Sequence, residues 1–162
     1  MGGRLKRLAL VLVVLTLAGC DRSRPSSQPA QSSPPSVQYI PRADNGPRRP
    51  FAEAVRVGNM LYLSGQLGTD SAGKVVPGGI EAETRQTLDN IKAALERNRS
   101  SLDKVVKCTA MLADMSEWPA MNQVYATYFT KHFPARSAFG TTGLALGARM
   151  ELECMATVDQ PL

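Results

Sequence analysis

Two stretches with a helical period divide residues 50–158, and strand-like stretches lie before, between and after them. In residues 80–97, apolar side chains recur at three- and four-residue steps while charged side chains take the opposite face, which predicts an amphipathic helix on a sheet. Ser116 resembles an N-cap with Pro119 in the first turn, and the second helix is predicted to run to about Lys131. This order favours an α+β domain, a mixed sheet with two helices on one face.

Alternation of apolar and polar residues identifies the strands. Residues 54–64 predict two strands joined by a tight hairpin at Gly58-Asn59, and a third extended piece follows Ser64-Gly65-Gln66. The remaining strands are predicted at residues 104–112, 135–140 and 150–158. No further helix remains to cover the second face of the sheet. Either this face meets water or another copy of the chain covers it. The short helices and the few aromatic residues favour the second, in a closed symmetric assembly.

Residues 1–19 have the order of an export signal: basic residues, an apolar run from Leu8 to Leu17 that is too short to span a bilayer, and small residues. The run ends in Leu17-Ala18-Gly19-Cys20, which resembles the lipobox of bacterial lipoproteins. This resemblance implies that Cys20 is acylated and that the protein is anchored by lipid to a membrane of the bacterial cell envelope, facing the periplasm. The alternative is a signal peptide cleaved at small residues, with a cysteine there by chance.

Residues 20–49 are rich in Ser, Pro, Gln and Arg and offer almost nothing to bury, which predicts a disordered tether between the lipidated cysteine and a domain at residues 50–162. The formal net charge of +5 belongs to the leader and this tether. Residues 50–162 contain 11 Lys and Arg against 12 Asp and Glu, a net charge of −1. The domain therefore has no basic surface of the kind that binds nucleic acid.

The common motifs of nucleotide, metal and hydrolase sites do not occur: the sequence has no GxGxxG, P-loop, GxSxG or HExxH. His132 is the only histidine, so we expect neither a metal site nor a Ser/His/Asp triad. Cys108 and Cys154 lie in predicted strands, and export would place them in an oxidising compartment. Because strand interiors rarely supply disulfide geometry, we expect buried free thiols rather than a bridge.

One arginine and two carboxylates remain as a candidate site: Arg136 in one predicted strand, and Glu151 and Glu153 in the next. An arginine can hold a small carboxylate with two parallel charge-assisted hydrogen bonds. A nearby carboxylate can activate water. On residue types alone, a structural ion pair between these groups is the stronger alternative.

Residues 50–158 resemble the RidA/YjgF family of enamine and imine deaminases. Five short motifs carry the resemblance, in this order: Gly58-Asn59-Met60 with Ser64-Gly65-Gln66; Gln86-Thr87-Leu88-Asp89-Asn90-Ile91-Lys92; Asn122 with Tyr125; Pro134-Ala135-Arg136-Ser137; and Glu151-Leu152-Glu153. The resemblance implies a two-layer chorismate-mutase-like α+β fold. It also implies a homotrimer whose sheets line a central barrel and whose clefts lie between subunits.

The resemblance further implies the roles of the site residues. Arg136 would clamp the substrate carboxylate, and Glu151 would hold or activate the attacking water. Glu151 is preferred to Glu153 because its spacing from Arg136 matches the family, although alternation puts both carboxylates on the same sheet face. The other positions that the resemblance places in the pocket are Ser64, Gly65, Asn122 and Phe51.

The leading hypothesis is therefore the hydrolysis of a 2-imino acid, the tautomer of a 2-enamino acid, to a 2-keto acid and ammonia without a cofactor. Phe51 stands where the family has a tyrosine, and Glu53 stands where it has a glutamine and would repel a carboxylate if it faced the pocket. These departures and the predicted periplasmic location favour an alternative, a non-catalytic module on the membrane that binds or senses small carboxylates. Ribonuclease activity, a third hypothesis that the resemblance permits, is disfavoured by the domain charge.

Overall fold

The computed structural model describes residues 34–43 and 49–159. The predicted signal peptide, the predicted lipidation site Cys20 and residues 20–33 and 44–48 of the predicted tether lie outside these residues. Within the described ranges, no helix is both long and apolar enough to cross a bilayer.

The described part of the chain forms seven strands and two α-helices. In chain order they are β1 (Val37–Ile40), β2 (Ala54–Val57), β3 (Met60–Leu63), β4 (Gln66–Leu67), α1 (Gly79–Arg97), β5 (Val105–Leu112), α2 (Trp118–Tyr128), β6 (Ala135–Gly140) and β7 (Met150–Thr157). Short 3-10 turns lie at Leu102–Lys104, Met115–Glu117 and Ala145–Gly147. The two predicted helices and the predicted strands are therefore confirmed, with one strand added.

The strands form a single mixed sheet in the order β1-β2-β3-β7-β5-β6, and β4 also pairs with β7. Only β5 and β6 are parallel; the other pairs are antiparallel. α1 packs on β4 and β7, and α2 packs on α1. The α+β architecture with two helices on one face is confirmed.

The core lies between the helices and one face of the sheet. Leu88, Ile91 and Leu95 of α1 are fully buried, at the three- and four-residue steps that predicted the helix. The even-numbered residues of β7, from Met150 to Ala156, are buried against them, while the odd-numbered residues are half-buried. Burial of these apolar side chains, each contributing about 1.5 to 3 kcal/mol, holds the helices on the sheet.

A glycine closes the predicted hairpin. β2 and β3 pair up to Val57 and Met60, so Gly58 and Asn59 form a two-residue loop. Gly58 has a φ of +57°, a region where a side chain is strained and glycine is not. The tight turn expected from Gly58-Asn59 is thus confirmed.

β1 lies in the segment that was predicted to be a disordered tether, and that prediction is wrong for these residues. Val37–Ile40 pairs antiparallel with the whole of β2. Three of its four residues are exposed, so the strand buries little and its apolar pattern is weak. Its stabilisation comes from backbone hydrogen bonds to a strand that already exists. The compact unit consequently begins at Pro34 rather than at residue 50.

The ends of α2 also differ from the prediction. Ser116 is not the N-cap; its backbone N–H donates to the carboxylate of Asp114 at 2.8 Å, which starts the 3-10 turn that leads into α2. The helix ends at Tyr128 and not near Lys131. Phe129 leaves the helical conformation because its ring turns into the core, with its centroid 4.7 Å from that of Tyr125.

The expectation of free thiols is wrong, because Cys108 and Cys154 form a disulfide. The two residues are direct partners in the antiparallel register of β5 and β7, with Cα atoms 4.1 Å apart. Facing residues of an antiparallel pair project to the same side of the sheet, where their sulfur atoms can meet. The sequence pattern placed each cysteine in a strand but did not give the register that joins them.

We expect the disulfide to stabilise the domain substantially, because it closes a loop between residues 46 positions apart. Replacing both Cys108 and Cys154 by alanine should lower the free energy of unfolding by about 2 to 4 kcal/mol, measured by urea titration. Dithiothreitol should lower the midpoint for the wild-type chain and leave the double variant unchanged. A wild-type midpoint that does not respond to complete reduction would contradict this account.

Candidate functional site

Arg136 lies at the centre of the first part of the site. It belongs to β6, opposite Cys108 of β5, and points toward α2. Its Nη2 donates to Oδ1 of Asn122 at 2.5 Å, and its guanidinium carbon lies 4.4 Å from the ring centroid of Tyr125. The hydrogen bond and the cation–π contact together fix the orientation of the guanidinium plane. We call Arg136, Asn122 and Tyr125 the arginine cluster.

The charge of Arg136 is not balanced by a carboxylate: within residues 34–43 and 49–159, it forms no ion pair. The structural ion pair with Glu151 or Glu153 that residue types alone favoured is therefore wrong. An oriented guanidinium with free donors is suited to bind an anion from solution, above all a planar carboxylate.

An open cavity of about 370 Å³ adjoins the arginine cluster. Its lining residues are Trp118, Asn122, Tyr125, Ala126, Phe133, Pro134 and Arg136. Burial raises the pKa of Tyr125 to about 12, against the opposing effect of the Arg136 charge, so the phenol stays neutral at physiological pH. Its hydroxyl is buried and finds no hydrogen-bond partner among the described residues, which leaves a polar atom beside the cavity.

Glu151 is the centre of the second part of the site. It lies on β7 opposite Leu67 of β4, and its carboxylate packs against Gly65. A Cβ atom at Gly65 would lie 1.8 Å from Oε1 of Glu151, so this close approach requires glycine. Ser64 precedes it, with Oγ donating to the carbonyl of Ala52 at 2.8 Å. We call Ser64, Gly65 and Glu151 the carboxylate cluster.

The acidity of Glu151 is weakened by its surroundings. The pKa of its carboxyl is raised, mainly by burial and secondly by repulsion from Glu153. As predicted, Glu151 and Glu153 project to the same face of the sheet, between the buried residues of β7. A carboxylate with a raised pKa accepts a proton more readily than an ordinary glutamate.

The two clusters lie on opposite faces of the sheet. Arg136 projects to the helix side, where it meets α2, whereas Glu151 alternates with the buried Met150 and Leu152 and so projects to the helix-free side. β5 lies between β6 and β7, which carry the two residues. One copy of the chain therefore brings Arg136 to Asn122 and Glu151 to Gly65, but it does not bring Arg136 to Glu151.

Glu53 and Phe51, the two positions that depart from the family pattern, lie in different environments. The carboxylate of Glu53 is 4% exposed and bonded to Arg97, with Nη2 and Oε2 3.0 Å apart, and to Asn98. It is thus neutralised beside the C-terminal end of α1 and does not face Arg136. Phe51 is 48% exposed just before β2.

Several cavity residues were not assigned to the site from the sequence. Tyr125 is one of them, and the available signal was its position three residues after Asn122, which places both on one helix face. Phe133 is 64% exposed beside Pro134, and an exposed aromatic close to a candidate arginine was the available signal. Among residues 34–43 and 49–159, no group of three or more His, Cys, Asp or Glu could hold a metal ion.

Comparison with known proteins identifies the family. The family model described as endoribonuclease L-PSP matches residues 43–158. The goat protein named 2-iminobutanoate/2-iminopropanoate deaminase is 44% identical over 114 residues, which are 70% of this chain and 82% of the relative. The human protein of that name is 39% identical over the same shares of the two chains. A RutC family protein of Pyrococcus horikoshii is 40% identical over 70% of this chain and 92% of its own.

Solved structures agree with these relatives. Yeast YEO7 has a TM-score of 0.71 and 37% identity, covering 76% of this chain and 99% of that one. The YjgF gene product of E. coli has a TM-score of 0.64 and 33% identity, covering 74% and 93%. The fold that the sequence resemblance implied is confirmed. The chain belongs to the RidA/YjgF family, whose family model carries the description endoribonuclease L-PSP.

Proposed function

We propose that this protein hydrolyses reactive 2-imino acids, tautomers of 2-enamino acids, to 2-keto acids and ammonia. The observation that carries the proposal is the Arg136 guanidinium, oriented by Asn122 and Tyr125 and free of any carboxylate partner among the described residues. It is suited to the carboxylate that every 2-imino acid carries. Relatives at 39 to 44% identity are named for this reaction.

The proposed active unit is a homotrimer. Since Arg136 and Glu151 lie on opposite faces of one sheet, a site that uses both needs the Glu151 of a partner subunit. The helix-free face supports this assembly because it presents apolar side chains beside Glu151 and Glu153, and neither α1 nor α2 covers them. Its half-buried or exposed apolar residues include Val55, Val57, Met60, Tyr62, Met111 and Met155. Closing such faces on one another around a symmetry axis would bury them and remove them from water.

The reaction then needs three contributions from the chain. Arg136 binds the substrate carboxylate through two hydrogen bonds and so places the imine carbon in the cleft. Glu151 of the partner subunit holds a water molecule and accepts a proton from it as the water oxygen attacks the imine carbon. The π-electron pair of the C=N bond moves to nitrogen, which takes up a proton from solvent. Glu151 then returns its proton to the amino group of the resulting carbinolamine. Ammonia leaves as the C–N bond breaks, and the carbinolamine hydroxyl releases its proton to solvent as the keto group forms.

Replacing Arg136 by alanine should lower kcat/KM by at least about a hundredfold, because two charge-assisted hydrogen bonds are lost. The measurement is the decay of imino acids generated in situ by an amino-acid oxidase, with the full chain in non-ionic detergent. Arg136→Lys keeps the charge without the planar fork and should recover only part of the loss. Arg85→Ala, an exposed arginine of α1, is the matched control and should retain full activity. Equal rates for Arg136→Ala and wild type would refute the assigned role.

The raised pKa of Glu151 gives a second prediction. Glu151 acts as a base only when it is ionised, so kcat/KM should fall as the pH drops through a pKa above that of an ordinary glutamate. Glu153→Gln removes the repulsion, lowers this pKa and should move the acid limb of the profile to lower pH.

The ionisation of Glu151 should affect folding stability in the opposite direction to activity: it raises activity and lowers the free energy of unfolding. The folded state binds the proton of Glu151 more tightly than the unfolded chain does, so ionisation of this group subtracts from stability as the pH rises. Glu151→Gln should lower kcat by about 10² to 10⁴-fold because it removes the base. It should not lower the free energy of unfolding at neutral pH, because the charge it removes is unfavourable in the folded state. A variant that unfolds more easily and is inactive for that reason alone would contradict the assignment.

The alternative function is a non-catalytic module that binds small carboxylates. The observation that favours it is Phe51, which lacks the hydroxyl that the family tyrosine would bring. Saturable binding of 2-keto acids in calorimetry, lost in Arg136→Ala and accompanied by no imine turnover, would select this alternative. The domain charge of −1 continues to disfavour a role on RNA.

We also propose that the protein is anchored to the bacterial cell envelope through Cys20 and faces the periplasm. The order of basic residues, apolar run and Leu17-Ala18-Gly19-Cys20 supports this, and so does the Cys108–Cys154 disulfide, since disulfides persist in oxidising compartments. In bacteria expressing the full chain, labelled palmitate should be incorporated into wild type and not into Cys20→Ser. Incorporation into both would rule out Cys20 as the acylated residue.

A further inference from the structure

A second cavity, of about 320 Å³, lies between the C-terminal end of α1 and the strands β1 and β2. Its lining residues are Gln38, Ile40, Arg56, Arg97, Asn98 and Arg99. None of them belongs to the arginine cluster or the carboxylate cluster, and three of the six carry a guanidinium. The proposed deaminase chemistry makes no use of this cavity.

Arg56 is the unusual residue of the cavity. It lies on the helix side of β2, where its neighbour Ala54 is part of the core, and it is only 9% exposed. Its Nε donates to the carbonyl of Gly58 at 3.0 Å. Its Nη2 is buried and has no hydrogen-bond partner in the part of the chain that the structure describes. A buried guanidinium with an unused donor is unfavourable unless a further group binds it.

The charges around the cavity do not cancel. Arg97 is neutralised by Glu53, through contacts of 3.0 Å from Nη2 and 3.3 Å from Nε. Arg56 has no carboxylate partner among the described residues, and neither has Arg99. Two positive charges therefore remain. The C-terminal end of α1 contributes about half a negative charge, which offsets only a quarter of them.

Arg99 occupies a backbone position where glycine is the usual residue. α1 ends with hydrogen bonds from the N–H of Ser100 to the carbonyl of Leu95 and from the N–H of Arg99 to that of Glu96, the two bonds of a Schellman motif. Arg99 takes the left-handed position of that motif, with a φ of +58°. An arginine is strained there, and glycine would not be. The strained backbone thus brings a third guanidinium to the cavity.

We propose that this cavity binds a phosphate group. Tetrahedral phosphate presents several oxygens and can accept from two guanidinium groups at once, which suits Arg56 and Arg99 approaching from a strand and a helix end. Binding would give the Arg56 guanidinium an anionic partner, and its Nη2 would gain an acceptor by turning toward the cavity. Two sources share this chemistry: a free phosphate or phosphate ester, and the phosphodiester headgroup of an anionic phospholipid.

The test is calorimetric titration of inorganic phosphate into the full chain, in non-ionic detergent at low salt. We expect saturable binding, weakened at least about tenfold by Arg56→Met. Arg99→Gly should weaken phosphate binding as well, while its thermal midpoint stays unchanged or rises, because glycine relieves the strain. This second variant keeps the test valid if Arg56→Met folds poorly. Lys92→Gln removes an exposed charge from the same helix outside the cavity and should bind like wild type.

Glycerophosphoglycerol, the water-soluble deacylated headgroup of phosphatidylglycerol, distinguishes the two sources. Tighter binding of this diester than of inorganic phosphate would assign the site to a lipid headgroup, and weaker binding would assign it to free phosphate. Absence of saturable binding of both probes would overturn the proposal. Equal phosphate affinity in wild type and Arg99→Gly, or the same loss in Lys92→Gln, would overturn it too. None of these outcomes depends on imine turnover.

Discussion

β5 and β7 are the two longest strands, with eight residues each, and the other strands depend on their antiparallel pairing. β7 carries β3 and β4 on its other side, and β5 carries β6. Because successive side chains of a strand alternate between faces, this register decides what faces the core. A slip of one residue would bring Glu151 under α1 and expose Leu152. The Cys108–Cys154 disulfide joins the two strands in the observed register and no other.

The same register keeps Arg136 and Glu151, the two groups proposed to act in the reaction, apart. A guanidinium and a carboxylate on one face would pair with each other, and neither would be available to a substrate. Here the sheet separates Arg136 from Glu151, while a guanidinium and carboxylate that are not needed for chemistry, those of Arg97 and Glu53, do pair. Arg136 instead rests on an amide oxygen and an aromatic ring, which orient it without cancelling its charge.

The sequence predicted the features that are determined within one short segment and missed those that depend on pairing between distant segments. α1, the β2–β3 hairpin and β7 were predicted well because strong periodicity or turn chemistry lies within each segment. β1 was missed because its four mostly exposed residues are ordered by pairing with β2. The disulfide was missed because pairing register is a long-range property. For the site, the motifs supplied Arg136, Asn122, Gly65 and Glu151, but they did not show that the sheet divides them into two clusters.

The position of β1 in the sequence also sets how far the domain would reach from a membrane in the proposed lipoprotein. Sixteen residues separate Cys20 from Val37, whereas the predicted boundary at residue 50 would have allowed almost twice as many. At roughly 3.5 Å per residue for a fully extended chain, the first strand stays within about 60 Å of the acylated sulfur in the proposed lipoprotein, whatever shape those residues take. A trimer with three such lipid anchors would leave the membrane only when all three lipids are out of the bilayer at the same time. It would then act in the layer within about 60 Å of the bilayer, on soluble substrates that diffuse into that layer.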